Sequence, residues 1–392
     1  MIVSKKVIDL LANVLYEVLN HKVSIDVAFK RACRGKCASN LDERERLYEL
    51  SRRFVSDYFK LLCTINKKEV SLKKLARIWL KGVSSGKFTN PACKLSYSEW
   101  FYKRIKELLG DETSALLNAM NERRWWLRIN TLLAPEESVL RMLDHEGVEY
   151  VVDKDYSFMV KVIKSPKPIR LLRPVKEFKA VPQDKASVAV IEALKPQPGD
   201  VILDMTAAPG MKTSLIMMLT ENKAQIIAVD VSIKRLKIMR ELLRKLGVDI
   251  SKVHIVHSDA VYFKIRYADK ILLDAPCSNS GAIDKDPGIK IHLSEGKIQY
   301  YSNIQRNLLM NTLKLGVKEV VYSTCSIMPE EGEYVIDYVK KNLRGLSIKL
   351  VKEVKWANHG YAVVDFYENL MRLFPHIHGT EGFFIAKIYV SQ

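Results

Sequence analysis

Residues 201–213, V-I-L-D-M-T-A-A-P-G-M-K-T, constrain the fold more than any other stretch. A short apolar run ends in Asp204, and a turn of small residues then enters a helix. A parallel α/β sheet ends a strand in this way and builds a ligand site over the strand's carboxyl edge. Ala207 and Ala208 let a ligand approach the backbone, Pro209 fixes φ, and Gly210 relaxes the turn at the helix entrance. A second apolar run, 226–229, also ends in an acid, Asp230. From about residue 183 the pattern alternates strand and helix. Strands are expected at 201–204, 226–230, 253–257, 271–274 and 320–323, and helices at 183–193, 210–219, 233–246, 300–315 and 331–343. Asp259 follows the third strand, the fourth ends in D-A-P-C-S (274–278), and the fifth ends in S-T-C-S (323–326). The fold class is therefore α/β with a Rossmann-like doubly wound sheet, its chemistry at the carboxyl ends of the strands.

Either acid alone could serve packing, but the turn and both carboxylates together point to a ligand. A carboxylate at the tip of the second strand accepts hydrogen bonds from ribose hydroxyls. No G-x-G-x-x-G follows the first strand, so the cradle for a dinucleotide pyrophosphate is missing. S-adenosylmethionine carries no phosphate and needs no such cradle.

The 392 residues carry a formal net charge of +18. Such an excess suits a polyanionic partner, nucleic acid first and an acidic membrane surface second. No apolar run is long enough to span a bilayer, and the N-terminus lacks the pattern of a signal peptide. Six cysteines in a chain of this length are not a disulfide framework. A reducing, cytoplasmic setting with free thiols is expected. Residues 1–81 read as helical. Val7, Ile8, Leu11, Val14, Leu15, Val18 and Leu19 form one stripe, Ser24 is placed to cap a second helix, and apolar residues at 47–61 and 72–79 mark two more. Residues 51–100 hold 11 Lys and Arg against 3 Asp and Glu, which suits an RNA-facing surface as well as a solvated helix face. Cys33 and Cys37, with Cys63 and Cys93, have too irregular a spacing for a four-thiolate zinc site and read as ordinary small residues. Residues 82–91 form a linker, and short strands with a helix at 135–146 then make a small α+β region with a basic end at Lys161, Lys164, Lys167, Arg170 and Arg173.

Cys277 and Cys325 stand at the tips of two strands. A thiolate is needed to attack carbon 6 of a pyrimidine, because the ring is a poor electrophile, and the adduct makes carbon 5 nucleophilic enough to accept a methyl group. A carboxyl group is then needed at ring nitrogen 3, and Asp274 could supply it if burial raises its pKa.

Here the chain resembles the RsmB/NOP/Sun (Fmu) family of RNA cytosine-5 methyltransferases. The resemblance is carried by M-T-A-A-P-G-M-K-T, D-A-P-C-S-N-S-G with K-D-P-G-I-K, V-Y-S-T-C-S-I-M-P-E-E-G-E, H-G-T-E-G-F-F-I-A and V-P-Q-D-K-A-S. It implies S-adenosylmethionine as cofactor, held by Thr206, Ala207, Ala208, Pro209, Gly210, Met211 and Lys212, with Asp230, Arg235, Asp259 and Asp274. It implies Cys325 as nucleophile, Cys277 assisting release, and Lys212 and Asp274 at the target base. Thr206 stands where cysteine is usual, and Met211 and Asn279 where glycine is usual. The expected organisation is a NusB-like helical RNA-binding domain (1–90), a small α+β RNA-binding domain (95–180) and the catalytic domain (181–392). RNA, ribosomal or transfer, is the expected partner, with no membrane and no metal despite His376 and His378, and a monomer is expected. Two other readings stay open: DNA cytosine-5 methylation with Cys277 as nucleophile, and a non-catalytic RNA-assembly factor. The helical domain tilts the substrate toward ribosomal RNA.

Overall fold

The computed structural model describes residues 5–35, 37–65, 70–82 and 88–391. Within the expected linker at 82–91, residues 83–87 lie outside the described residues. The chain divides into two compact units, one of residues 1–123 with 282–295, the other of residues 124–281 with 296–392.

The first unit is helical. Its first helix, Lys5–His21, turns Leu11, Val14, Leu15 and Val18 inward, all fully buried, as their spacing predicts. Asn40, Ser71 and Ser98 cap later helices by accepting the backbone N–H groups of Glu43, Lys74 and Phe101. Ser24 occupies the N-cap position of Ile25–Cys33, but its side chain makes no cap hydrogen bond. The helices Glu99–Leu109 and Thr113–Asn121 also belong to this unit.

The expectation of free thiols in this region is corrected: Cys33 is bonded to Cys37, and Cys63 to Cys93. Left-handed backbone at Arg34 and Gly35 reverses the chain after the second helix and brings the Cα atoms of Cys33 and Cys37 to 4.8 Å. Packing of Tyr58–Cys63 beside Pro91–Leu95 brings those of Cys63 and Cys93 to 5.9 Å. The first pairing depends on a local left-handed turn and the second on packing between separate helices, and the cysteine spacing shows neither.

Residues 282–295, which follow the first cysteine motif directly, pack within the helical unit. Arg52 donates to the Asp284 carbonyl at 2.9 Å, and the Ile25 N–H donates to Asp286 at 3.3 Å. The Lys290 ammonium is buried, donates to Asn121 at 2.9 Å and lies 4.6 Å from the Tyr97 ring centroid. Burial pushes its pKa down to about 7, partly opposed by Asp57.

The second unit holds two sheets. The smaller has strands β1 (Trp125–Ile129), β2 (Glu149–Val152), β3 (Met159–Lys164) and β4 (Ala180–Pro182), antiparallel in the order β2-β3-β1-β4. The larger has β5 (Val201–Asp204), β6 (Gln225–Asp230), β7 (Val253–His257), β8 (Lys270–Asp274), β9 (Glu319–Thr324), β10 (Ser347–Val351), β11 (Asn358–His359), β12 (Met371–Leu373) and β13 (Phe383–Ser391). Strands β9, β8, β5, β6 and β7 run parallel in that spatial order, β13 joins β9 antiparallel, and β12, β11 and β10 follow beyond β13. The strand order reverses between β5 and β8, so a crevice opens at their carboxyl ends. β5, β8 and β9 are apolar and almost wholly buried, as expected of parallel strands covered on both faces. The helix Lys185–Leu194, capped by Asp184, buries eight of its ten residues and holds the small sheet's end of the core to the large one.

Candidate active site

The turn after β5 is built for close approach. Gly210 has φ +100, and a Cβ there would lie 2.8 Å from Met239 Cγ, so both conformation and space demand glycine. Its neighbours are organised by Asp230, whose carboxylate accepts the Ala208 N–H at 3.2 Å and the Ser232 N–H at 2.9 Å and pairs with Arg235 at 3.3 Å. Arg235 also donates to the Ala208 carbonyl. Beside this edge, Val231, Ile233 and Tyr262 are 65%, 52% and 78% exposed. A carboxylate with exposed apolar and aromatic side chains in the adjoining segments has the chemistry that an adenosyl group requires. Asp259 is exposed and accepts the N–H of Val261 at 2.9 Å, so it closes its own turn. Asp204 is fully enclosed and accepts from the Thr213 hydroxyl at 2.8 Å. Burial pushes its pKa up to about 7.

A second group lies across β8 and β9. Lys212 donates to Asp274 at 2.6 Å, the Ser323 hydroxyl donates to the other carboxylate oxygen at 2.7 Å, and Thr206 donates to the Asp274 carbonyl at 2.8 Å. Burial alone would lower the Lys212 pKa; Asp274 more than offsets it and holds the ammonium above its usual value. The Lys212 ammonium also lies 5.5 Å from the Phe383 ring centroid. Thus Thr206, Lys212 and Asp274 meet in one cluster, and Ala208, Asp230 and Arg235 in another.

The two free thiols face each other, Cys277 Sγ to Cys325 Sγ 2.9 Å. The bond with Cys277 and burial push the Cys325 thiol well above its usual pKa, and the charges of Asp274 and Glu381 add to this. The Lys212 ammonium feels the Cys325 charge, so the thiols and the Lys212–Asp274 pair share one electrostatic site.

Sequence reasoning assigned no role to Glu331, although it lies in the quoted P-E-E-G-E segment. Its fully buried carboxylate accepts the Ser278 N–H at 2.8 Å, the Ser326 hydroxyl at 2.6 Å and the Gln305 amide at 3.2 Å, together with the Ser278 hydroxyl. Ser278 and Ser326 directly follow the two cysteines, so one carboxylate ties both thiol loops together. Burial raises its pKa, and these hydrogen bonds oppose the rise. Two acids at a loop-to-helix junction were the available signal. Close by, Arg372 pairs with Glu333 at 2.5 Å, both fully buried, and donates to the Ser326 carbonyl at 2.9 Å. A Cβ on Gly281 would lie 1.9 Å from the Gly382 carbonyl oxygen, so the H-G-T-E-G loop and the Cys277 loop cross there backbone to backbone. His378 accepts the Phe374 N–H at 2.8 Å, and burial lowers its pKa. Among the described residues no group of three or more His, Cys, Asp or Glu could hold a metal ion, and no helix is long and apolar enough to cross a membrane.

Residues 191–389 match the family model described as 16S rRNA methyltransferase RsmB/F, and residues 97–169 match a ferredoxin-like domain of RsmF/B-like methyltransferases. The chain is 37% identical over 221 residues to the tRNA (cytosine(49)-C(5))-methyltransferase of Pyrococcus abyssi, covering 53% of this chain and 69% of the relative. It is 34% identical over 312 residues to the 28S rRNA (cytosine-C(5))-methyltransferase of Mus musculus, covering 74% of this chain but only 38% of the relative's length. Among solved structures, that of PH0851 superimposes with a TM-score of 0.80 at 26% identity over 99% of both chains. A methyltransferase homologue from Pyrococcus horikoshii gives 0.66 at 30% identity over 78% of this chain and 99% of that one.

Proposed function

Since the chain belongs to the RsmB/F family of methyltransferases, we propose that it methylates carbon 5 of an RNA cytosine through a covalent bond from Cys325 to carbon 6. The observation that carries this reading is the pair of free thiols 2.9 Å apart at two strand ends, in one electrostatic site with the Lys212–Asp274 pair. Asp230, Arg235 and the 206–212 turn would hold S-adenosylmethionine, which when bound supplies a methyl group to carbon 5. The chain's own residues do the rest. The Cys325 thiolate bonds to carbon 6, the carbon 5–carbon 6 π pair moves into the ring, and the proton shared by Lys212 and Asp274 passes to nitrogen 3. After methylation the Cys277 thiol gives its proton to solvent water, the resulting thiolate takes the carbon 5 proton, the double bond re-forms, Cys325 leaves as thiolate, and nitrogen 3 returns its proton to the pair. Reaching a stacked base requires flipping it out at a cost of a few kcal/mol, met by phosphate and stacking contacts. The basic helical unit is the proposed phosphate-gripping part, a structured ribosomal or transfer RNA the proposed substrate, and the cytoplasm the proposed setting.

One gel tests the reading, using radiolabelled RNA, methyl donor and four proteins. Cys277→Ala should accumulate a methylated protein–RNA adduct that survives denaturing electrophoresis. Cys325→Ala and the double mutant should form none, and the wild type should turn over. An adduct in Cys325→Ala would instead favour Cys277 as nucleophile, and a wild type that transfers no methyl group would favour an assembly factor.

A further inference from the structure

Against both sulfurs lies a side chain that the reaction as described does not use. Asn279 Oδ1 is 2.9 Å from Cys325 Sγ and 3.5 Å from Cys277 Sγ. Its backbone has φ +60, in the left-handed region that glycine enters freely and asparagine tolerates better than most residues. Glycine would be the low-cost choice for the turn; what asparagine adds is a carboxamide in contact with both thiols. We propose that Asn279 is a third catalytic residue, whose carboxamide touches both sulfurs from one side and stabilises the Cys325 thiolate as it forms. The inference rests on Cys325 being the nucleophile.

The electrostatic surroundings explain why such a group is needed. The neighbours of Cys325 that bear on its charge include Cys277, Asp274 and Glu381, all of which oppose a thiolate, and Lys212, the cation that favours it. Tyr301 and Tyr322 feel the Cys277 charge from the helix Glu295–Leu313 and from β9, and neither brings positive charge. Lys212 is already engaged by Asp274. In the thiol state the Asn279 oxygen accepts the S–H. A half-turn about χ2 exchanges oxygen and NH₂ in nearly the same volume, and the amide then donates to sulfur. Cys325 is only half-buried, so the proton it gives up passes to solvent water.

The test uses Asn279→Gly, which relaxes the backbone while removing the carboxamide, and Asn279→Asp, which keeps the shape and adds negative charge. Alkylation of Cys325 by iodoacetamide is followed against pH by peptide mass spectrometry, without RNA or donor. Adduct formation is followed in the Cys277→Ala background. A hydrogen bond to a charged group is worth about tenfold or more. The alkylation midpoint should therefore rise by about one pH unit in Asn279→Gly, and further in Asn279→Asp, and adduct formation at neutral pH should fall about tenfold. A thermal midpoint in Asn279→Gly at or above that of the wild type separates this effect from unfolding. Superimposable pH profiles for wild type and Asn279→Gly would overturn the inference. A shifted alkylation profile with no RNA adduct even in Cys277→Ala would sustain the Asn279–thiolate contact and overturn Cys325 as nucleophile.

Discussion

Asp204 should make the protein lose stability as pH rises, and Asp204→Asn should remove that loss. Burial holds its folded-state pKa at about 7 against an ordinary 3.8, so between these values the folded chain keeps a proton that the unfolded chain has released. The stabilising contribution is complete below pH 3.8 and is lost as pH rises to about 7. The full gap corresponds to about 4 kcal/mol at 1.36 kcal/mol per unit, and the part lost between pH 5 and pH 8 to about 2.5 kcal/mol. Asparagine keeps the side-chain shape and can still accept from the Thr213 hydroxyl, but does not ionise. Urea unfolding of wild type and Asp204→Asn at pH 5 and pH 8 measures the difference directly. The variant should gain about 2.5 kcal/mol relative to wild type on going from the lower pH to the higher. Parallel pH dependences would show that Asp204 ionises normally and that its enclosure is not what governs its charge.

Glu331→Ala should leave the Ser278 N–H and the hydroxyls of Ser278 and Ser326 without their buried acceptor. At about 1–3 kcal/mol for each buried unsatisfied group, a loss of at least about 3 kcal/mol is expected in urea unfolding, together with loss of adduct formation by Cys325. Cys63→Ser opens a loop spanning 30 residues, for which chain entropy gives about 3–4 kcal/mol. The unfolding free energy of the helical unit in urea should fall by that amount, and dithiothreitol should lower the midpoint of the wild type but have much less effect on the variant.

The parallel half of the fold was legible because its signals are local. Apolar runs ending in Asp204, Asp230 and Asp274 became β5, β6 and β8 with ends within one residue of expectation. The cysteine motifs were legible for the same reason, each being a strand tip with a distinctive residue. What escaped depends on contacts between distant segments. β4 has three residues and owes its place to pairing with β1, not to any pattern of its own. Asp230 reads as a ligand acid, yet only the fold reveals that it first organises Ala208, Ser232 and Arg235. Glu331 looks like one acid among several, because burial and four donors from three segments are invisible along the chain. The Cys63–Cys93 pairing and the Asn279 contact with Cys325 were hidden in the same way.

The helical unit takes its last piece, residues 282–295, from far along the chain. During synthesis its first 123 residues emerge well before that piece, with the whole of Arg124–Gly281 made in between. At about 5–20 residues per second that interval is on the order of ten seconds. Throughout it, the neighbours of Lys290, Ile291 and Asp286 have no partner from the segment that will cover them. The order in which the ribosome delivers the segments therefore leaves the helical unit unfinished until most of the other unit has been made. A nascent chain halted just short of residue 282 should expose apolar surface that the finished chain conceals.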